Sequence, residues 1–177
     1  MNQSASIQDP HRGLGDRIAY AIAIGAGAGL SPLAPGTCGA IEGVGVYLAA
    51  AYIAPRVMTL THNGSLVFLL LLNLVIFVVG VWASARACEI SGLKDPQKVV
   101  IDEVSGQLIA LAPAALSLAV LPVIAAFALF RLFDIFKPYP IRKLESLPGG
   151  LGVMADDALA GIYAGALMWL GYVLHLF

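Results

Sequence analysis

SLVFLLLLNLVIFVVGVWASA, residues 65–85, runs for twenty-one positions without one ionisable side chain. At 1.5 Å per residue a helix of that length reaches about 32 Å, the thickness of a bilayer's hydrocarbon core. The stretch therefore predicts a membrane-spanning helix, and it decides the fold class. The rest of the chain agrees: of 177 residues, 59% are hydrophobic and only 12% charged, with a mean hydropathy of +0.87. A soluble domain carries roughly 25% charged residues. The composition excludes a disordered chain and a water-soluble globule, and leaves an all-α, polytopic membrane helical bundle built as a single domain.

Toward the N-terminus, residues 40–54 (AIEGVGVYLAAAYIA) form a short apolar helix interrupted only by Glu42, expected to face the interior as a hydrogen-bonding group. Before it, the small, Gly-rich stretch 18–30 is too short to cross and fits a surface-lying or re-entrant helix. Residues 1–17 are a polar tail, and the apolar stretch behind them lacks a cleavage-site pattern, so no removable signal is expected. Toward the C-terminus, 86–98 reads as a polar loop. Residues 104–130 read as a helical hairpin broken near Pro113, and a last helix runs from about 158 to 177. Arg12, Arg17, Arg86, Lys94, Lys98, Arg131, Lys137, Arg142 and Lys143 can all lie on one side, leaving Arg56 alone on the other. By the positive-inside rule that side is cytoplasmic.

Four clusters then meet on the cytoplasmic side: the loop 31–39, the pair Asp102 and Glu103, the set Arg131, Asp134 and Lys137, and the pair Asp156 and Asp157. Ionisable residues in apolar helices pair with one another or line a polar cavity. An excess of carboxylates from several helices suits a hard, oxygen-seeking cation such as Mg²⁺, and Arg131 with Lys137 suits a phosphate. Spacing of i, i+3 and i+6 places Arg131, Asp134 and Lys137 on one helix face, which equally describes a plain ion-pair ladder. Asp156 and Asp157 read alone are also a helix N-terminal cap, with the flexible glycines 149, 150 and 152 before them. In SPLAPGT, Gly36 exposes backbone N–H groups and Thr37 stands as a helix N-cap, an arrangement that holds phosphate oxygens or simply caps a turn.

Other chemistries are disfavoured. Cys38 and Cys88 belong to no CxxC pair; Cys88, followed six residues later by Lys94, lacks the Arg of a cysteine-phosphatase loop, and Cys38 has no basic residue nearby. His11, His62 and His175 are too dispersed to share a site. A net charge of −1, from ten Lys and Arg against eleven Asp and Glu, offers no field for nucleic acid.

Taken in order, GLSPLAPGTCG, IDEVSG, FRLFDIFKPYPI and GGLGVMADDALAG resemble the signature segments of the phosphatidylglycerophosphatase A family. The resemblance covers about residues 24–165, and its most specific part is the Arg-x-x-Asp-x-x-Lys-Pro-x-Pro block from Arg131 to Pro140. It implies a bacterial inner-membrane enzyme, multi-pass, its active site facing the cytoplasm. Such an enzyme uses Mg²⁺ to convert the phospholipid phosphatidylglycerophosphate to phosphatidylglycerol and inorganic phosphate. The carried-over positions are Thr37, Asp102, Glu103, Arg131, Asp134, Lys137, Asp156 and Asp157. The five carboxylates are expected as metal ligands and catalytic groups, and Arg131, Lys137 and Thr37 as phosphate ligands. Ala40 replaces a small hydroxyl residue, and Glu42 matches no motif position. The competing class, a small ion or phosphate transporter relaying cations through carboxylates, fits less well, because the charges gather at helix ends instead of along a central path.

Overall fold

The computed structural model describes residues 13–59 and 61–177. His11, Arg12 and the rest of the tail before Gly13 lie outside the described residues. Every regular element is helical: α1 (Leu14–Ala23), α2 (Pro35–Val57), α3 (His62–Ser91), α4 (Ile101–Leu111), α5 (Val120–Phe136), α6 (Ile141–Leu144) and α7 (Gly149–Val173), with 3₁₀ turns at Gly25–Leu30 and Ala112–Ala114. Among the described residues there is no strand. Among the described residues three helices, α2, α3 and α7, are long and apolar enough to cross a membrane.

Helix ends follow local chemistry. Thr61 caps α3 by accepting the Gly64 N–H at 3.2 Å. The helix stops at Gly92, whose φ of 68° suits glycine and whose N–H returns to the Cys88 carbonyl at 2.9 Å. α3 thus continues to Ser91, so much of the polar loop expected over 86–98 is helix; Arg86 pairs with Asp16 of α1 and Glu89 on its own helix. The hairpin expected across 104–130 is present as α4, a 3₁₀ turn holding Pro113, and α5.

Burial inverts the pattern of a soluble protein. On α3 the outward residues are large and apolar, including Leu70, Leu71, Leu74, Val75 and Val78. Apart from Leu69, the inward face carries small or polar residues: Ser65, Asn73, Gly80, Ala83, Ser84 and Ala87. This is how membrane helices pack: lipid accepts the large side chains, and small or polar ones face the bundle. Asn73 accepts a hydrogen bond from Ser105 Oγ of α4 at 3.0 Å, both side chains buried.

The short α4 is the central helix, packed against α2, α3, α5 and α7. Glycines allow the approach. A Cβ on Gly161 of α7 would overlap the Gly106 carbonyl of α4, and a Cβ on Gly106 would meet the Asp157 carbonyl at 2.6 Å. On the other side, Gly39 and Gly43 of α2 lie against Val100, Val104 and Gln107. Fully buried Tyr47 of α2 donates its hydroxyl to the Ser117 carbonyl at 2.9 Å, tying α2 to the turn between α4 and α5.

Candidate active site

The N-termini of α2, α4 and α7, the C-terminus of α5 and the loop that follows α3 border one cavity of about 590 Å³. Thr37, Asp102, Glu103, Arg131, Asp134, Lys137, Asp156 and Asp157 all line it. Three helix N-termini directed at one place supply partial positive charge, which favours acidic side chains and anions there.

Asp102 and Glu103 occupy the first turn of α4, and Asp157 comes from α7. One carboxylate oxygen from each falls within 4.8 Å of the others. Asp102 is 9% exposed and Asp157 3%. Asp134 stands beside Asp157 and accepts from Arg131 Nη1 at 2.6 Å. Buried Asp102 Oδ1, Glu103 Oε2 and Asp156 Oδ1 have no hydrogen-bond partner among the described residues. Close, buried carboxylates with orphaned oxygens repel one another and forfeit solvation unless a cation sits among them. An all-oxygen donor set of this kind fits a hard divalent ion.

Lys137 Nζ donates to Asp156 Oδ2 at 2.6 Å and to Glu145 Oε1 at 2.8 Å. Burial alone would lower the pKa of this ammonium. The hydrogen bonds to Asp156 and Glu145, with Asp157 nearby, outweigh burial and hold it above the ordinary lysine value. Lys137 is therefore a permanent cation.

Several sequence expectations need correction. Lys137 does not continue the face of Arg131 and Asp134: it ends α5 in the left-handed region, with φ of 44° and ψ of 61°. Pro138 follows, and a residue before proline is disfavoured in the helical region, so Lys137 leaves the helix and turns to α7. The ladder is thus two separate contacts, Arg131 with Asp134 and Lys137 with Asp156 and Glu145.

Asp156 and Asp157 are not an N-terminal cap, because α7 begins seven residues earlier, at Gly149. Of the glycines before them, Gly149 opens the helix with φ of 60°, and Gly150 and Gly152 are helical packing sites instead of a flexible turn. A Cβ on Gly150 would overlap the Val81 carbonyl of α3, and one on Gly152 the Leu147 carbonyl. Thr37 is not an N-cap either. Proline is favoured at the first helical position, so α2 starts at Pro35 with Ala34 as the cap. Thr37 lies in the first turn, where the Gly36 and Thr37 N–H groups precede the first possible intrahelical carbonyl partner.

Glu42 lies outside this lining. Its buried Oε2 packs against Gly25 and makes no hydrogen bond among the described residues, contrary to expectation. Glu145 and the loop residues Lys94, Asp95 and Gln97 also border the cavity. Sequence reasoning singled out none of them for it. Glu145 is separated from Lys137 by eight positions and a proline-containing turn, a relation no helical period encodes.

Comparison with known proteins bears on what this cavity does. The family model for Phosphatidylglycerophosphatase A matches residues 21–172. A Haemophilus influenzae protein named Phosphatidylglycerophosphatase A is 40% identical over 148 residues, covering 82% of this chain and 83% of the relative. An Escherichia coli protein of the same name is 30% identical over 161 residues, covering 86% and 83%. A Bacteroides thetaiotaomicron protein with the provisional name phosphatidylinositol-3-phosphatase is 41% identical over 150 residues, covering 81% and 86%. No solved structure matches. With most of its length matched by the family model, and with relatives of that name covering more than four fifths of it, the chain belongs to the phosphatidylglycerophosphatase A family.

Proposed function

We propose that the protein hydrolyses the terminal phosphate monoester of phosphatidylglycerophosphate, giving phosphatidylglycerol and inorganic phosphate, with Mg²⁺ held by Asp102, Glu103 and Asp157. The observation that carries this reading is the trio of carboxylates within 4.8 Å of one another, Asp102 and Asp157 buried and Glu103 half-buried. Its substrate assignment is supported by the names of the Haemophilus influenzae and Escherichia coli relatives. The whole chain, 1–177, acts as one membrane-embedded domain.

When bound, Mg²⁺ neutralises phosphoryl oxygens and acidifies a coordinated water. The protein's own groups do the rest. Arg131 and the Gly36 and Thr37 N–H groups orient the phosphoryl oxygens, and Lys137, fixed as a cation, holds Asp156 in place. Asp156 Oδ1, free of any partner, takes a proton from the attacking water. The water oxygen bonds to phosphorus as the P–O bond to the glycerol breaks, the departing alkoxide takes up a proton from solvent, and Asp156 returns its own to solvent. Asp134 keeps Arg131 aimed at the cavity through their ion pair. Phosphoryl transfer is catalysed mainly by such positioning and charge stabilisation.

Outward apolar faces keep the substrate's acyl chains in the lipid while its headgroup enters the cavity. Arg86, Lys94, Lys98, Arg142 and Lys143 belong to the end of the bundle where the cavity lies, and Arg56 ends α2 at the other. By the positive-inside rule the site faces the cytoplasm of a bacterial inner membrane.

The test is phosphate release from phosphatidylglycerophosphate in detergent micelles, with and without Mg²⁺, for the wild type and for Asp157→Asn and Asp134→Asn. Mg²⁺-dependent release abolished by Asp157→Asn supports the reading. Well-folded wild type that releases no phosphate under any divalent ion refutes it.

A further inference from the structure

The cavity holds three cations, Lys94, Arg131 and Lys137. Arg131 and Lys137 are each committed to wall carboxylates. Lys94 is exposed, and among the described residues it forms no ion pair. Its backbone, in contrast, is anchored. The Cys88 thiol donates to the Lys94 carbonyl at 3.1 Å, and the loop is fastened farther on by the Val100 N–H to the Ala23 carbonyl at 2.9 Å. A free ammonium is thus presented from a fixed stem at the mouth, while the carboxylate trio lies buried at the floor.

The lipid named for the relatives carries two phosphates. The monoester ends the headgroup, and a diester, separated from it by a three-carbon glycerol, joins the headgroup to diacylglycerol. With the monoester at the floor, the diester falls toward the mouth. There Asp95 alone would repel it, and Lys94 with the Gln97 amide supplies the compensating cation and donor.

We infer that Lys94 is a specificity-determining residue that engages the phosphodiester of the lipid headgroup, so that the site distinguishes a two-phosphate headgroup from a bare lipid monoester. The inference rests on the reaction proposed above. It also accounts for relatives named for two different headgroups, since phosphatidylinositol 3-phosphate carries the same diester.

The experiment uses the full-length protein with Mg²⁺ in mixed micelles. It compares kcat/KM for phosphatidylglycerophosphate with that for phosphatidic acid, which has the same diacylglycerol and a monoester but no diester. Lys94→Gln is expected to lower the ratio of the two about fivefold to tenfold, through KM and not kcat, and Lys94→Glu to lower it further. Product inhibition by phosphatidylglycerol, which keeps the diester and lacks the monoester, weakens in each variant by about the factor that its ratio falls. This second measurement needs no turnover of phosphatidic acid. Lys143→Gln removes a positive charge on the same side of the protein but outside the cavity lining, and it leaves ratio and inhibition as in the wild type.

Equal losses on both lipids, or unchanged ratio and inhibition in a wild type active on phosphatidylglycerophosphate, overturn the role of Lys94 alone. A folded wild type inactive on phosphatidylglycerophosphate overturns the proposed reaction and this inference together.

Discussion

Gly36→Ala separates the site from the fold. Gly36 lies in the first turn of α2, and a Cβ there would intrude on the Glu103 carboxylate and approach Arg131 Nη1 to 3.2 Å. Both obstacles are ends of long side chains, so the backbone is not forced to move. Relief requires the Glu103 carboxylate to retreat by about 1 Å to reach ordinary contact. The stability cost is small, since alanine recovers up to about 1 kcal/mol of helix propensity over glycine. Catalysis is less forgiving. A misplacement of about 1 Å in a catalytic constellation costs roughly 10²-fold, about 2.7 kcal/mol of transition-state stabilisation. The expected result is a kcat/KM for phosphate release reduced by about two orders of magnitude, in protein whose Tm in detergent stays within a few degrees of the wild type. Gly36→Ala with near-wild-type turnover would refute the placement of Glu103 beside α2, and so would a variant that unfolds.

Gly161→Ala is the counterpart at a position where nothing can yield, because its Cβ overlaps the Gly106 carbonyl and lies 3.0 Å from Ile109 Cβ. It is expected to lower stability by at least the 1–3 kcal/mol typical of overpacking, read as a lower Tm and loss of the monodisperse species in size-exclusion chromatography. Asp157→Asn changes sign with metal. Without Mg²⁺ it removes one of three mutually repelling buried carboxylates and raises Tm. With Mg²⁺ at a hundredfold over Kd the wild type gains about 2.7 kcal/mol and the variant gains little, a crossover that differential scanning fluorimetry detects. Lys137 has a raised folded pKa, so its stabilising contribution is complete below the ordinary lysine value of about 10.4 and is lost only as pH rises through the higher folded value. The stability difference between wild type and Lys137→Met is therefore constant from about pH 7 to 10. A difference that already shrinks near pH 8 to 9 refutes the permanent charge.

How much of this was legible before the structure depends on the scale of the signal. Twenty-one uncharged residues announce a bilayer, and α3 is where they place it. The spacing of Arg131 and Asp134 reports a helical face because both lie inside α5. The same arithmetic fails one turn later at Lys137, where Pro138 ends the helix. The start of α7 was hidden by glycines 149, 150 and 152, which read as a turn because glycine costs a helix about 1 kcal/mol each. Close packing explains two of them, Gly150 on the Val81 carbonyl and Gly152 on the Leu147 carbonyl, and the positive φ of Gly149 explains the third. Nothing in hydropathy identifies α4 as the central helix. In a membrane, apolar length reports contact with lipid, and the least lipid-exposed helix is therefore the one whose span signal is weakest. Glu145 stayed invisible because its relation to Lys137 is tertiary.

The contact of Gly106 with Gly161 has a mechanical consequence. Gly106 follows Asp102 by four residues and Gly161 follows Asp157 by four, so the point where α4 and α7 touch backbone to backbone sits one helical turn, about 6 Å, below both carboxylates. It is the fulcrum of a pair of short levers. A scissoring of about 10° between the helices displaces the carboxylates by only about 1 Å, whereas the far end of α7, on a much longer arm, sweeps several times that distance. Strain from a bilayer that thickens, thins or curves is thus delivered mainly to the distant ends of the helices, and the carboxylate cluster lies near the axis where such motion is smallest.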